Sequence, residues 1–147
     1  MYSLATTLLA QVTIVFIPFT GTIPYVNYNC ETSGYSGLYH KETQTAYVCE
    51  GKWRKKDDYT AQFAMYHELG HHLWYNITQE QRDEYTKEWN KAKVFYRDYG
   101  KTRVDEDFSD NFALLSLDQK TSFQVNKRIK LIKSYGKTYL NHTHGLN

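Results

Sequence analysis

One segment, MYHELGHHLW (65–74), limits what this chain can fold into more than any other. On a helical wheel centred on His67, the apolar residues Phe63, Ala64, Tyr66, Leu69, Leu73 and Trp74 leave no clean polar face. A helix that is apolar all round is a buried helix, so the rest of the chain must wrap around it. Ionisable side chains in such a place are costly unless they are paired or bound to a metal. His67 and His71 are four residues apart, hence on one face and one turn from each other. Two imidazoles at that spacing can share one tetrahedral ion. Glu68 is rotated by about 100° from His67, beside the pair, where it can reach a water on the ion's open side. The pattern is H-E-x-x-H. His72 points away from His71 and is expected at the surface or in a second layer. His40, His142 and His144 have no ligand partner at helical spacing.

A catalytic zinc site needs a third protein ligand and an open position. The extended pattern H-E-x-x-H-x-x-G-x-x-H is excluded, because Trp74 and Ile77 occupy its glycine and histidine positions. A later helix offers a carboxylate instead. In VDEDFSDNFALL (104–115), Glu106 and Asp110 share one face that continues through Ala113. Val104, Phe108, Phe112 and Leu115 cover the opposite side, so the two acids are expected to point inward. Glu106 then binds the metal, and Asp110 accepts the second N–H of a ligand histidine, fixing its tautomer. Asp105 and Asp107 read as an ordinary acidic helix start.

The remaining segments read as follows. Residues 3–10 form a short helix and QVTIVFIPF a first strand; this apolar start lacks a positive n-region and a clear cleavage site, and secretion is left open. GLYHKETQTAYVCEG (37–51) reads as a hairpin with KETQ as its turn. Asp57 or Asp58 is expected to cap the histidine helix, from about Tyr59 to Tyr75. Thr78 with Gln81 marks a capping box for a helix to about Tyr96, and Thr102 with Asp105 a second one for a helix to about Leu117. A last helix is expected from about Ser122 to Ser134. Strands precede helices, which predicts an α+β fold in a single domain over 1–147: a small antiparallel or mixed sheet, the buried helix, then further helices. Cys30 and Cys49 either form a disulfide or sit as small buried hydrophobes, and the sequence leaves both open. A net charge of +2 with scattered basic residues argues against nucleic acid, and no transmembrane segment is expected.

HELGH (67–71) followed by EDFSDNFA (106–113) resembles the gluzincin metallopeptidases. YGKTRVDE (99–106) resembles the Y-G-x-T-x-x-x-E segment of the catalytic domain of anthrax lethal factor, and the Pro-Pro endopeptidases share its Tyr-to-Glu spacing. The resemblance covers roughly residues 35–135. It implies a substrate-binding sheet ahead of the histidine helix, Glu106 as third zinc ligand, and Tyr99 as a hydrogen-bond donor to the oxyanion. Together these readings predict a zinc-dependent endopeptidase with one Zn²⁺ per chain, expected as a monomer. Its Glu68 serves as general base towards a zinc-activated water. The substrate is expected to add in extended form to strand 45–49, contacting Thr45, Ala46, Tyr47 and Val48. A catalytically inactive, zinc-stabilised peptide-binding module is the alternative, and a structural domain without metal is a third.

Overall fold

The computed structural model describes residues 3–51 and 60–143. Ser3 opens α1 (Leu4–Leu9) by accepting the Thr6 N–H. Strand β1 (Thr13–Ile17) follows, then a short hairpin of β2 (Thr22–Ile23) and β3 (Tyr28–Asn29), and then the expected hairpin of β4 (Gly37–His40) and β5 (Thr45–Cys49). The main sheet has the order β1-β5-β4, with β1 parallel and β4 antiparallel to β5. The fold is α+β, as expected: a small mixed sheet followed by helices.

The place of β5 corrects one expectation. Thr45, Ala46, Tyr47 and Val48 were expected on an exposed strand, yet β5 is central and pairs with β1 from Thr13↔Thr45 to Ile17↔Cys49. Its backbone is already used on both sides, so no peptide can add there. The cause is the parallel return of β1, a non-local pairing that a hairpin pattern does not announce. Among the described residues, the strands with an unpaired edge are β1 and β4, one on each side of β5, and it is β4 whose Gly37, Leu38 and Tyr39 line the cleft over α2.

Helix α2 (Ala61–Asn76) lies between this sheet and α4 (Val104–Ser116). Its cap is Thr60, which accepts the Phe63 N–H at 3.1 Å; the expected caps Asp57 and Asp58 lie outside the described residues. On its sheet side, Ala46 packs with Leu69 and Leu73, and Val48 with Phe63 and Ala64. The crossing with α4 depends on Gly70. A Cβ there would sit 2.8 Å from the Ser109 Cα and 3.1 Å from the Phe112 Cβ, so a side chain would push the two helices apart.

Helix α3 (Gln79–Lys91) starts on the expected capping box: Thr78 Oγ1 accepts the Gln81 N–H at 3.1 Å, and Gln81 Oε1 accepts the Thr78 N–H at 3.0 Å. It stops at Lys91, short of Tyr96. The Gln124 side-chain oxygen takes the N–H groups of Lys93 and Val94, at 2.9 and 3.1 Å, giving them a non-helical partner. The expected Thr102–Asp105 box does not form. Thr102 Oγ1 donates to the Tyr99 carbonyl at 2.6 Å, and Arg103 holds Asp105 from the N-cap position. Helix α5 (Phe123–Thr143) begins as expected and runs well past Ser134. No helix among the described residues is long and apolar enough to cross a membrane.

Candidate metal centre

Because α2 and α4 cross so closely, the His67–His71 face meets the Glu106–Asp110 face. His67 Nε2 lies 2.9 Å from Glu106 Oε2, His71 Nε2 lies 3.3 Å from the same oxygen, and the two Nε2 atoms are 3.2 Å apart. All three residues are buried, and this group can hold a metal ion. On the other side of His67, Nδ1 lies 2.8 Å from Asp110 Oδ1. An ionised Asp110 can only accept, so Nδ1 carries a proton, and it is Nε2 that gives up its own to offer a lone pair to an ion.

Without an ion, the charges compensate one another. Burial lowers the proton affinity of His67, but hydrogen bonds to Asp110 and Glu106 outweigh it and push the pKa up to about 10. Burial works against the Glu106 carboxylate too, yet hydrogen bonds to His67 and His71 hold it far below the usual carboxylate range. Glu68 behaves differently. Burial raises its pKa and outweighs the pull of both histidines. It stands outside the ligand triangle but lines the same cleft, whose volume is about 310 Å³. Gly37 of β4 makes room for it: a Cβ at Gly37 would lie 3.0 Å from Glu68 Oε1 and 2.7 Å from the Tyr47 carbonyl oxygen.

Tyr99 sits in a single 3-10 turn (Asp98–Lys101), not at the end of a longer helix. Trp89 Nε1 fixes this turn by donating to the Gly100 carbonyl at 2.9 Å. The Tyr99 ring is 6.2 Å from that of His67, and the residue is partly exposed at the rim of the cleft. Burial, together with the charge of Glu106 and a hydrogen bond to it, raises its pKa above the usual tyrosine range. Tyr99 thus lines the same cleft as His67, Glu68, His71 and Glu106.

Several polar residues around the site carried no local signal. Of the two places expected for His72, the surface or a second layer, the structure gives the buried one. Tyr39 of β4 hydrogen-bonds its Nδ1 at 2.6 Å and Gln11 its Nε2 at 3.2 Å, and burial lowers its pKa to about 4. A neutral ring donating to the Gln11 side-chain oxygen leaves Nδ1 to accept the Tyr39 hydroxyl, so His72 ties the edge strand to α2. Asp105 and Asp107 are not an ordinary exposed helix start; both are buried. Asp105 Oδ2 stands 3.6 Å from His71 Nδ1. Asp107 turns the other way, into the core, and binds Arg128 through Nε at 2.9 Å and Nη2 at 3.0 Å while accepting the Tyr85 hydroxyl at 2.7 Å. A clue to this pair existed in the sequence, since Arg128 falls in the apolar register of Val125, Ile129 and Ile132. Arg97, two residues before Tyr99, had none. It forks onto Asp110, with Nε 2.8 Å from Oδ2 and Nη2 2.9 Å from Oδ1.

Cys30 and Cys49 form a disulfide, resolving the alternative that the sequence left open. No protein-family model and no curated protein matches the chain.

Proposed function

We propose that the chain is a zinc-dependent endopeptidase of the gluzincin type that takes an extended peptide along the free edge of β4. One observation carries this reading: the cluster of His67, His71 and Glu106 and a further buried carboxylate, Glu68, which stands outside that cluster, face one open cleft. A structural metal site would have no use for Glu68 there.

The donor set supports zinc. Ligands at about 2.0–2.1 Å around a tetrahedral ion are separated by edges of about 3.3 Å. The three donor atoms are 2.9, 3.2 and 3.3 Å apart, close to that spacing before any adjustment. His67 Nε2, His71 Nε2 and a Glu106 oxygen would hold the ion. When bound, zinc would lower the pKa of water towards neutrality and polarise a carbonyl.

The chain's own residues supply the rest of the chemistry. Glu68, whose proton affinity burial has raised, takes a proton from the attacking water at its carboxylate. The water oxygen bonds to the scissile carbonyl carbon, the C–N bond breaks, and Glu68 returns the proton to the leaving amine. Tyr99 donates its hydroxyl hydrogen to the carbonyl oxygen as negative charge develops there. Asp110 keeps His67 in the tautomer that offers Nε2. The outer edge of β4 (Gly37, Leu38, Tyr39) runs along the same cleft and offers backbone donors and acceptors to an extended peptide. The Cys30–Cys49 disulfide supports an oxidising compartment.

The decisive experiment is metal analysis of the purified protein together with cleavage profiling of wild type and Glu68→Gln on a peptide library. We expect one zinc per chain in both proteins and cleavage by wild type alone. Zinc in both without any cleavage would favour the inactive peptide-binding module, and absence of metal would rule out both.

A further inference from the structure

The cleft has two unlike walls. The helices contribute His67, Glu68, His71 and Glu106, whereas the strand region contributes Val26, Tyr28 and Tyr35 together with Leu38 of β4. Tyr28 and Tyr35 stack face to face, with centroids 4.2 Å apart and planes 2° from parallel, and Tyr35 remains 45% exposed. Two tyrosines that stack on each other at a cleft mouth present apolar ring surface to whatever enters.

The backbone beneath this wall is built to hold it. Between β2 and β3 the chain turns through Pro24–Asn27, with Tyr25 at φ 72° and Asn27 at φ 54°. Asn adopts the left-handed region readily, but for Tyr it is costly, and such strain persists only where the surroundings fix it. Here Tyr25 stacks on His40 of β4 at 3.9 Å. Val26, between the two left-handed residues, is thereby aimed into the cleft. The hairpin is too short to be stable alone. It is fixed by Ile17, Ile23 and the Cys30–Cys49 disulfide, which fastens it to the end of β5.

We infer that the hairpin lobe forms an apolar subsite, lined by Val26, Tyr28 and Tyr35, that selects peptides with a bulky apolar side chain close to the scissile bond. The inference rests on the proposed use of the cleft for an extended peptide. Continuity decides the occupant: the wall adjoins the unpaired edge of β4, so a strand added there projects alternate side chains towards it.

The test uses short fluorescein-labelled Gly/Ser peptides carrying a single Phe, Leu, Ser or Asp, titrated by anisotropy into zinc-loaded Glu68→Gln protein. Phe and Leu peptides should bind about tenfold or more tightly than Ser and Asp peptides, the scale of burying part of one large apolar side chain. Tyr28→Ser/Tyr35→Ser should erase that difference without changing zinc content. Val26→Asp, which leaves the stack in place, should reduce it independently, and Phe123→Ser, at the start of α5 and outside the cleft lining, should not alter it. Equal binding of all four peptides, no binding by any, or full selectivity in both wall variants would overturn the inference. Hydrolysis is read separately with wild type. Selective binding without hydrolysis would sink the peptidase reading and leave the subsite standing, whereas hydrolysis without selectivity would do the reverse.

Discussion

Arg97 and Asp110 form a two-pronged ion pair, Nε to Oδ2 at 2.8 Å and Nη2 to Oδ1 at 2.9 Å, and the same Oδ1 faces His67 Nδ1. The Arg97 guanidinium also lies 4.8 Å from the centre of the Tyr99 ring. One side chain thus braces both the carboxylate behind His67, a candidate metal ligand, and the tyrosine at the cleft rim. Arg97→Met should loosen zinc by about 10–100-fold, the range seen when partners behind a metal ligand are removed. Arg97→Lys keeps the charge but not the fork and should fall between. Chelator competition gives the affinities; a wild-type value for Arg97→Met would detach Arg97 from the metal site.

Glu106 and Asp107 are neighbours in sequence with opposite fates, and their variants should separate cleanly. Glu106→Ala should lose zinc while the folded protein survives. Asp107→Ala strands Arg128, which is only 2% exposed, and should cost about 3–5 kcal/mol of stability. Replacing both partners with apolar residues, Asp107→Leu/Arg128→Met, should recover much of that loss. Urea unfolding with metal analysis distinguishes the two patterns. Loss of zinc from a still-folded Asp107 variant would mean that α4 is rotated from the arrangement described.

Tyr99→Phe removes only the hydroxyl of a tyrosine at the cleft rim. Zinc content and melting temperature should stay near wild type. If the phenol donates to the developing oxyanion, kcat should fall by roughly 10²–10³-fold with a much smaller change in KM. Tyr96 packs on Phe63 instead, and Tyr135 donates to Glu84, so their Phe variants are the controls. Normal kcat in Tyr99→Phe would reduce Tyr99 to a packing residue.

Metal binding should be proton-linked. His67 has a pKa pushed up to about 10 in the metal-free protein, so it holds a proton near neutral pH that an incoming ion must displace. Calorimetry in buffers of different ionisation heat should show about one proton released per zinc, with affinity rising about tenfold per pH unit between pH 6 and 8. The same shift acts on the metal-free fold. Because the folded pKa lies above the ordinary 6.5, the stabilisation is complete below pH 6.5 and is lost as pH rises towards about 10. Melts of chelated protein across that range test the sign, and a rise in stability there would contradict it.

Short-range chemistry was legible in the amino acids themselves. The Thr78–Gln81 box depends on atoms three residues apart, and the shared face of His67 and His71 depends on helical pitch alone. The inward face of Glu106 and Asp110 followed from the same pitch, because apolar flanks on one helix already say which way it is buried. What the helix would meet was another matter. That β5 lies inside the sheet depends on β1, which returns from some thirty residues earlier to pair with it in parallel. Asp107 reads as part of an ordinary acidic helix start because its partner, Arg128, stands on another helix, and Arg97 reaches Asp110 from a turn with no pattern of its own. The cleft wall of Val26, Tyr28 and Tyr35 belongs to a hairpin region that a disulfide and a small apolar cluster tie to the main sheet. Pitch and capping are properties of a few consecutive residues, so sequence determines them directly. Strand order, buried ion pairs and cleft walls join residues far apart in the chain, and only the packed structure decides which of them meet.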